Sequence, residues 1–294
     1  SAPSAPAPVK LGPTEALQAA ADSGKPQAQY AQALVLKAQG ASAPAIDLMK
    51  KAAGQGVAIA ARKLGIWYEQ GDGVPKNIAE AGRWYLRAAQ AGDIEAMHNL
   101  GYFYAQGAGG LQKDGGQAEH WFKSAAERGL IASQVNLSIV YSKPESFGLA
   151  AGNDLQTRMN EAYFWAALAA ARGDAQAETM RDSLAGNLKP EAKLAIDKQV
   201  DTWRPKPFDA IANGGFDTSA EAFLPASDQK PLTREEIITI QERLNELGYK
   251  AGGTDGKTGV QFEKAIRAFQ AAYRLPDTGT ADHNLLSALE AVPH

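Results

Sequence analysis

The sequence predicts an all-α protein: a right-handed α-solenoid of helix-turn-helix repeats followed by a small three-helix domain. Three observations carry this. An Ala-Ala-x-x-Gly signature recurs with its glycine at Gly24, Gly56, Gly92, Gly129 and Gly173, at spacings of 32, 36, 37 and 44 residues. A period of that size marks stacked helix pairs. Alanine is abundant and β-branched runs are few, which favours helix. The last sixty or so residues carry three apolar stripes at helical spacing.

Residues 1–12, opening SAPSAPAP, read as a semi-extended linker that follows a cut or a mature start. Residues 13–203 hold the repeats. The best unit, Trp84 to Tyr104, contains the end of one helix, a turn at Gly92 and the start of the next helix. Glycine at that turn takes the left-handed conformation that ends a helix. Leu100 and Tyr104 form a buried stripe, and Gly65 and Gly101 let two helices approach closely. Trp84, Trp121 and Trp165 recur in register as packing residues. The Gly24 and Gly173 units are degenerate, as end repeats are expected to be. An insert over 142–154 accounts for the longest spacing. A helix from Lys189 to Trp203, with Pro190 in its first turn, caps the stack.

Residues 204–231 change character, with Pro205, Pro207, Gly214, Gly215, Pro225 and Pro231 among scattered aromatics. They read as an inter-domain linker, partly packed through Phe208, Phe216 and Phe223. In the module at 232–294, a first helix carries Ile237, Ile240, Leu244 and Leu247, and Gly248 ends it. A glycine-rich loop follows at 251–259. The next helix carries Phe262, Ala265, Ile266 and Phe269, and a short last one carries Leu285, Leu286 and Leu289.

Several function classes are excluded or disfavoured. A net charge of -3 offers no basic stripe for nucleic acid. With no cysteine there is no disulfide and no thiolate chemistry. No apolar run reaches the ~18 residues of a membrane span, and there is no signal-peptide pattern, so any anchor is expected upstream of Ser1. His98, His120, His283 and His294 form no metal-ligand spacing, and Asp255-Gly256 lacks the alternating ligands of a calcium loop. No metal, cofactor, phosphate cradle or nucleophile elbow is expected, and the chain reads as non-enzymatic.

The pattern A-x3-LG-x2-Y-x2-G-x-GV followed by W-x3-AA-x2-G, clearest over Ala60 to Gly92 and Ala96 to Gly129, resembles the Sel-one-like repeat, a relative of the tetratricopeptide repeat. The resemblance covers about 13–203 and implies a binding scaffold without catalysis of its own. At the C-terminus, Gln241-x-x-Leu244, Leu247-Gly248-Tyr249, Asp255-Gly256-x-x-Gly259, Ala265-Ile266-x-x-Phe269-Gln270, Leu275-Pro276-x-Thr278-Gly279 and Asp282-x-x-Leu285 resemble the peptidoglycan-binding three-helix domain. Thr258 and Phe262 depart from that family's pattern, beside the groove it implies.

Phased on Leu64, Gly65 and Tyr68, the inward positions of the repeats give a partner-binding set: Tyr30, Arg62, Ile66, His98, Tyr102 and Ile139. That mixture suits a peptide better than a sugar, although solvated or inter-repeat positions fit it equally. For peptidoglycan the candidates are Tyr249, Asp255, Phe269, Gln270 and Arg274. Of these Phe269 reads better as core, and Tyr249 and Arg274 better as exposed contacts. The order of modules resembles the periplasmic region of polar localisation proteins of alphaproteobacteria. That resemblance implies a periplasmic scaffold with peptidoglycan and one or more proteins as partners. Two alternatives stay open: a non-catalytic targeting region of a wall enzyme, and a secreted partner-binding repeat protein.

Overall fold

The computed structural model describes residues 11–150 and 154–293. The expected opening linker therefore lies outside the described residues except for Leu11 and Gly12, as does His294. Among the described residues there are fourteen α-helices and no strand. The solenoid runs α1 (Pro13–Asp22), α2 (Pro26–Ala38), α3 (Ser42–Gly54), α4 (Ala58–Gln70), α5 (Ile78–Gln90), α6 (Ile94–Gln106), α7 (Gly115–Ala126), α8 (Ile131–Ser142), α9 (Leu155–Ala170), α10 (Ala175–Ala185) and α11 (Pro190–Thr202). The C-terminal domain is α12 (Arg234–Glu246), α13 (Val260–Ala272) and α14 (His283–Glu290).

The repeat signature is a helix stop followed by a helix start. Gly92 has φ +98°, its N–H donates to Ala89 O, and the Asp93 N–H reaches back to Ala88 O at 3.0 Å. The carbonyls that a helix end leaves unpaired are thereby satisfied. Asp93 then caps α6, its carboxylate accepting from the Ala96 N–H at 2.7 Å. Gly24, Gly56, Gly129 and Gly173 share the left-handed conformation, while Asp114, Asp154 and Asp174 cap α7, α9 and α10.

Two repeat positions work differently from the sequence expectation. A Cβ at Gly65 would stand 2.6 Å from the Tyr85 ring, and one at Gly101 would stand 2.7 Å from the Phe122 ring. These glycines make room for an aromatic face rather than for a neighbouring backbone. The repeating tryptophan shares its packing role with the residue after it. Trp84 and Trp121 are only half-buried, whereas Tyr85 and Phe122 are almost fully enclosed.

At the far end, α11 closes the stack, with Ile196 buried against Tyr163 and Ala166 of α9. The segment after it turns back and follows the row of glycine turns toward α1. The Lys206 N–H donates to Glu127 O at 2.8 Å, and Pro205 packs beside Gly129. Ala212 lies beside Gly92, Gly214 against Ile59, and Phe216 edge-on to Tyr30 with ring centroids 5.7 Å apart. A 3-10 turn, Ala220–Phe223, ends the run by packing Ala220 and Phe223 on Leu17, Ala20 and Ala28.

The C-terminal domain docks on this returning strap. The Ala210 N–H donates to Tyr273 O, the Phe208 ring meets Tyr273 edge-on at 5.2 Å, and Gly215 sits against Ala288. One buried apolar cluster consequently runs from Tyr30 and Leu64 through Phe208 and Phe216 to Ile240 and Leu289. The strap is a structural layer between the two modules, with Phe208 and Phe216 only 5% and 6% exposed.

Candidate functional site

Two glutamines build the C-terminal domain's loops. Gln241, near the middle of α12, is 1% exposed. Its Nε2 donates to Lys257 O at 2.7 Å and its Oε1 accepts from the Gly256 N–H at 2.9 Å. Gln270 on α13 repeats the device: its Oε1 accepts from the Thr278 and Gly279 N–H groups, and its Nε2 donates to the Thr278 hydroxyl at 2.8 Å. A buried amide with all its groups paired fixes a loop at small cost. The Gln-x-x-Leu and Phe-Gln motifs are therefore loop clamps.

This placement sorts the sequence candidates. Phe269 is fully buried, edge-on to Tyr249 at 5.6 Å and stacked on Tyr273 at 4.4 Å. Gln270 is 4% exposed and fully engaged within the domain. Neither offers a free contact to a ligand, because α13 turns both toward the core. Tyr249 is half-buried, and burial raises its pKa. Asp255 is exposed; its carboxylate accepts from the Lys257 N–H at 3.0 Å, and that bond holds its pKa below the usual carboxylate range. Arg274 is exposed and adopts φ +58°, ending α13 where a glycine is more usual.

The domain also has an open concavity that none of these five residues lines. A cleft of about 780 Å³ is lined by Leu232, Ile237, Thr258, Val260, Phe262, Arg267 and Thr280. Val260, the first residue of α13, is 71% exposed on its rim. Arg267 is held by Asp277 at 2.6 Å and Glu263 at 3.0 Å, which raise its pKa above the ordinary guanidinium value. The cleft thus combines an apolar floor, threonine hydroxyls and one fixed cation, the mixture a sugar-peptide polymer needs. Of its lining residues the sequence marks Ile237, Phe262 and Ile266 as helix stripe, Gly259, Thr278 and Gly279 as motif positions and Thr258 and Phe262 as departures, none of them as a ligand contact. An exposed valine opening a helix after Gly259 was a usable signal; the Arg267–Asp277 pairing was not, since it depends on how α13 meets the loop after it.

On the solenoid, two of the six candidates are enclosed. Tyr30 is 3% exposed beneath Phe216, and burial pushes its pKa up to about 12 despite the nearby Arg62. Arg62 is 9% exposed, with its guanidinium 2.9 Å from the Asp93 carboxylate and 2.5 Å from Glu95. Burial alone would lower the Arg62 pKa, but the two carboxylates outweigh it and the net shift is upward. Burial raises the Asp93 pKa, and the guanidinium offsets only part of that.

The remaining four are more open. Tyr102 is 42% exposed, edge-on to His98 and Phe122, with its hydroxyl 3.4 Å from Asn136 Oδ1. His98 Nδ1 lies 2.8 Å from the Ser133 hydroxyl, and burial lowers its pKa to about 4. Ile66 and Ile139 are half-buried, Ile139 against the cluster of Val135, Ala169, Ala170 and Ala177. The structure brings His98 and Tyr102 together. It separates them from Tyr30, which the strap covers.

Residues 233–289 match the family model described as the putative peptidoglycan binding domain, and residues 58–93, 94–130 and 152–174 match the Sel1 repeat. The chain carries Sel1 repeats and a peptidoglycan-binding domain. Among solved structures, a Sel1 repeat protein from Oxalobacter formigenes is similar at 22% identity and TM-score 0.50, covering 80% of this chain and 85% of its own. The c5321 protein, a protective antigen present in uropathogenic Escherichia coli strains displaying an SLR fold, is similar at 23% identity and TM-score 0.50 over 96% of this chain. The present chain spans 55% of the length of c5321. At these identities the likeness speaks for the solenoid fold alone. Among the described residues no group of His, Cys, Asp and Glu is arranged to hold a metal, and no helix is long and apolar enough to cross a membrane.

Proposed function

We propose that the chain is a non-enzymatic scaffold of the cell envelope that binds peptidoglycan through its C-terminal domain and protein partners through its repeats. The observation that carries this is the open cleft around Val260 and Arg267 on a domain matched, over 233–289, to a peptidoglycan-binding family. A location in the periplasm, and a part in organising a cell pole, belong to the same proposal. Their support is the order of repeats, strap and wall-binding domain. Of the sequence candidates, Tyr249, Asp255 and Arg274 stay as secondary contacts on the wall-binding side, and His98, Tyr102, Ile66 and Ile139 as contacts on the partner side.

Co-sedimentation with purified sacculi tests the wall-binding half. The chain should pellet with them, and Val260→Asp should reduce the bound fraction several-fold while leaving the fold intact, since Val260 is mostly exposed. Failure of the unaltered chain to pellet removes the wall-binding reading. Release of soluble muropeptides during the same incubation removes the non-enzymatic one. A fluorescent fusion spread evenly round the envelope removes the polar part alone.

A further inference from the structure

The strap meets the row of glycine turns as a ligand meets a receptor. Between Asp209 and Gly215 it closes a compact turn on itself: the Ala212 N–H donates to Asp209 Oδ1, the Gly215 N–H to Ala210 O at 2.8 Å, and Asn213 Nδ2 to Asp209 O at 2.8 Å. The same Asn213 side chain then reaches the solenoid twice. Its Oδ1 accepts from the Ile94 N–H at 2.7 Å and its Nδ2 donates to Gly92 O at 3.0 Å, bracketing the first residue of α6 and the repeat's glycine. One amide thus satisfies a donor and an acceptor that a helix boundary leaves open.

The next three residues fix the register. Gly214 has φ +85°, a conformation that strains any residue with a Cβ and a β-branched one most, and it packs against Ile59 Cδ1. Gly215 is pressed between Ala210 O and Ala288. Phe216 then inserts against Tyr30 and is 6% exposed. The Asn213 and Gly214 contacts fall on the starts of α6 and α4 and the Phe216 contact on Tyr30 of α2, surfaces of the solenoid that a separate peptide could reach.

We infer that the faces of Tyr30, Ile59 and the Gly92–Ile94 turn form a peptide-binding site, and that its ligand is an Asp-to-Asn turn followed by Gly-Gly-Phe, here supplied in cis by the strap. A partner carrying that turn displaces the strap. Displacement also removes the Phe208 and Ala210 contacts to Tyr273 and so unlatches the wall-binding domain. Partner capture and freedom of that domain are therefore coupled. The inference rests on the reading of the repeats as a partner-binding scaffold.

The test uses a labelled peptide of residues 205–217 and the full chain. A short tether holds its own ligand at an effective concentration on the order of millimolar, so the unaltered chain should take up the free peptide poorly. Asn213→Ala combined with Phe216→Ala, and separately Gly214→Val, weaken the cis contact while altering no helix. Each should raise uptake about tenfold or more by the same competition. A peptide with its own Asn213→Ala change should bind neither variant, and saturation with the unaltered peptide should enlarge the radius of gyration. Helical circular dichroism shows that each variant is folded. Equal uptake by the unaltered chain and both variants overturns the inference, and so does uptake by none. If peptide uptake follows the expected pattern while sacculus co-sedimentation fails, the wall-binding proposal falls and this site stands. The reverse result removes this site and leaves the wall-binding proposal intact.

Discussion

His98 and Arg62 are both inward-facing residues of the repeats, and both have been drawn into the protein's own interior. Burial holds His98 neutral with a pKa of about 4. An unfolded imidazole titrates near 6.5. Below that pH the unfolded chain binds a proton that the folded chain does not, so this contribution to stability is complete above about pH 6.5 and is lost as pH falls toward 4. The loss should reach at most about 3 kcal/mol. Melting curves between pH 4 and 7 should show it, and His98→Gln should remove it. Among the described residues Arg62 is the cation paired with the buried Asp93. Arg62→Ala leaves that carboxylate unpaired and should cost about 3–5 kcal/mol in urea unfolding. Its charge serves the fold before it serves any partner.

Within an element, the repeat glycines divide into those that face a ring and those that face open space. Gly101→Ala forces a methyl to within 2.7 Å of the Phe122 ring. Overpacking of that kind costs about 1–3 kcal/mol and outweighs the gain in helix propensity of about 1 kcal/mol. Gly54, the last residue of α3, has nothing within 4 Å of a Cβ, so Gly54→Ala should instead stabilise by about 0.5 kcal/mol. Denaturant midpoints of the two variants should move in opposite directions. The elements themselves were legible from sequence because their signals are local: five glycine turns, Pro at helix starts, and apolar positions at helical spacing. The jobs of Gly65 and Gly101 were not, since the rings above them come from the next helix.

For the whole molecule, the strap decides how the two modules relate. A chain ended at residue 231 loses Tyr273, the partner of both Phe208 and Ala210. Its Phe208, now 5% exposed, would face water. Uncovering one such ring costs about 1.5–3 kcal/mol. The truncated chain should melt earlier than the full one and lose amide protection at Ala210, whose acceptor is Tyr273 O, while Lys206 keeps its acceptor on Glu127. The same architecture explains why one of the candidate partner contacts lies beneath the chain's own strap. Repeat phase puts Tyr30 on the inward face; what covers it there is Phe216, 186 positions further along the chain. Of the glycan candidates, Phe269 is core, the better of its two sequence readings, and Gln270 is turned inward on the same helix.

Sequence alone determined the helical class, the repeat period, the position of each turn and the two kinds of module, because these follow from backbone propensity and apolar spacing within a few dozen residues. Only the tertiary structure decided which faces stay open. That choice depends on what packs against each helix from a distance, and here the decisive neighbour is the strap from Pro205 to Phe223 returning along the glycine turns.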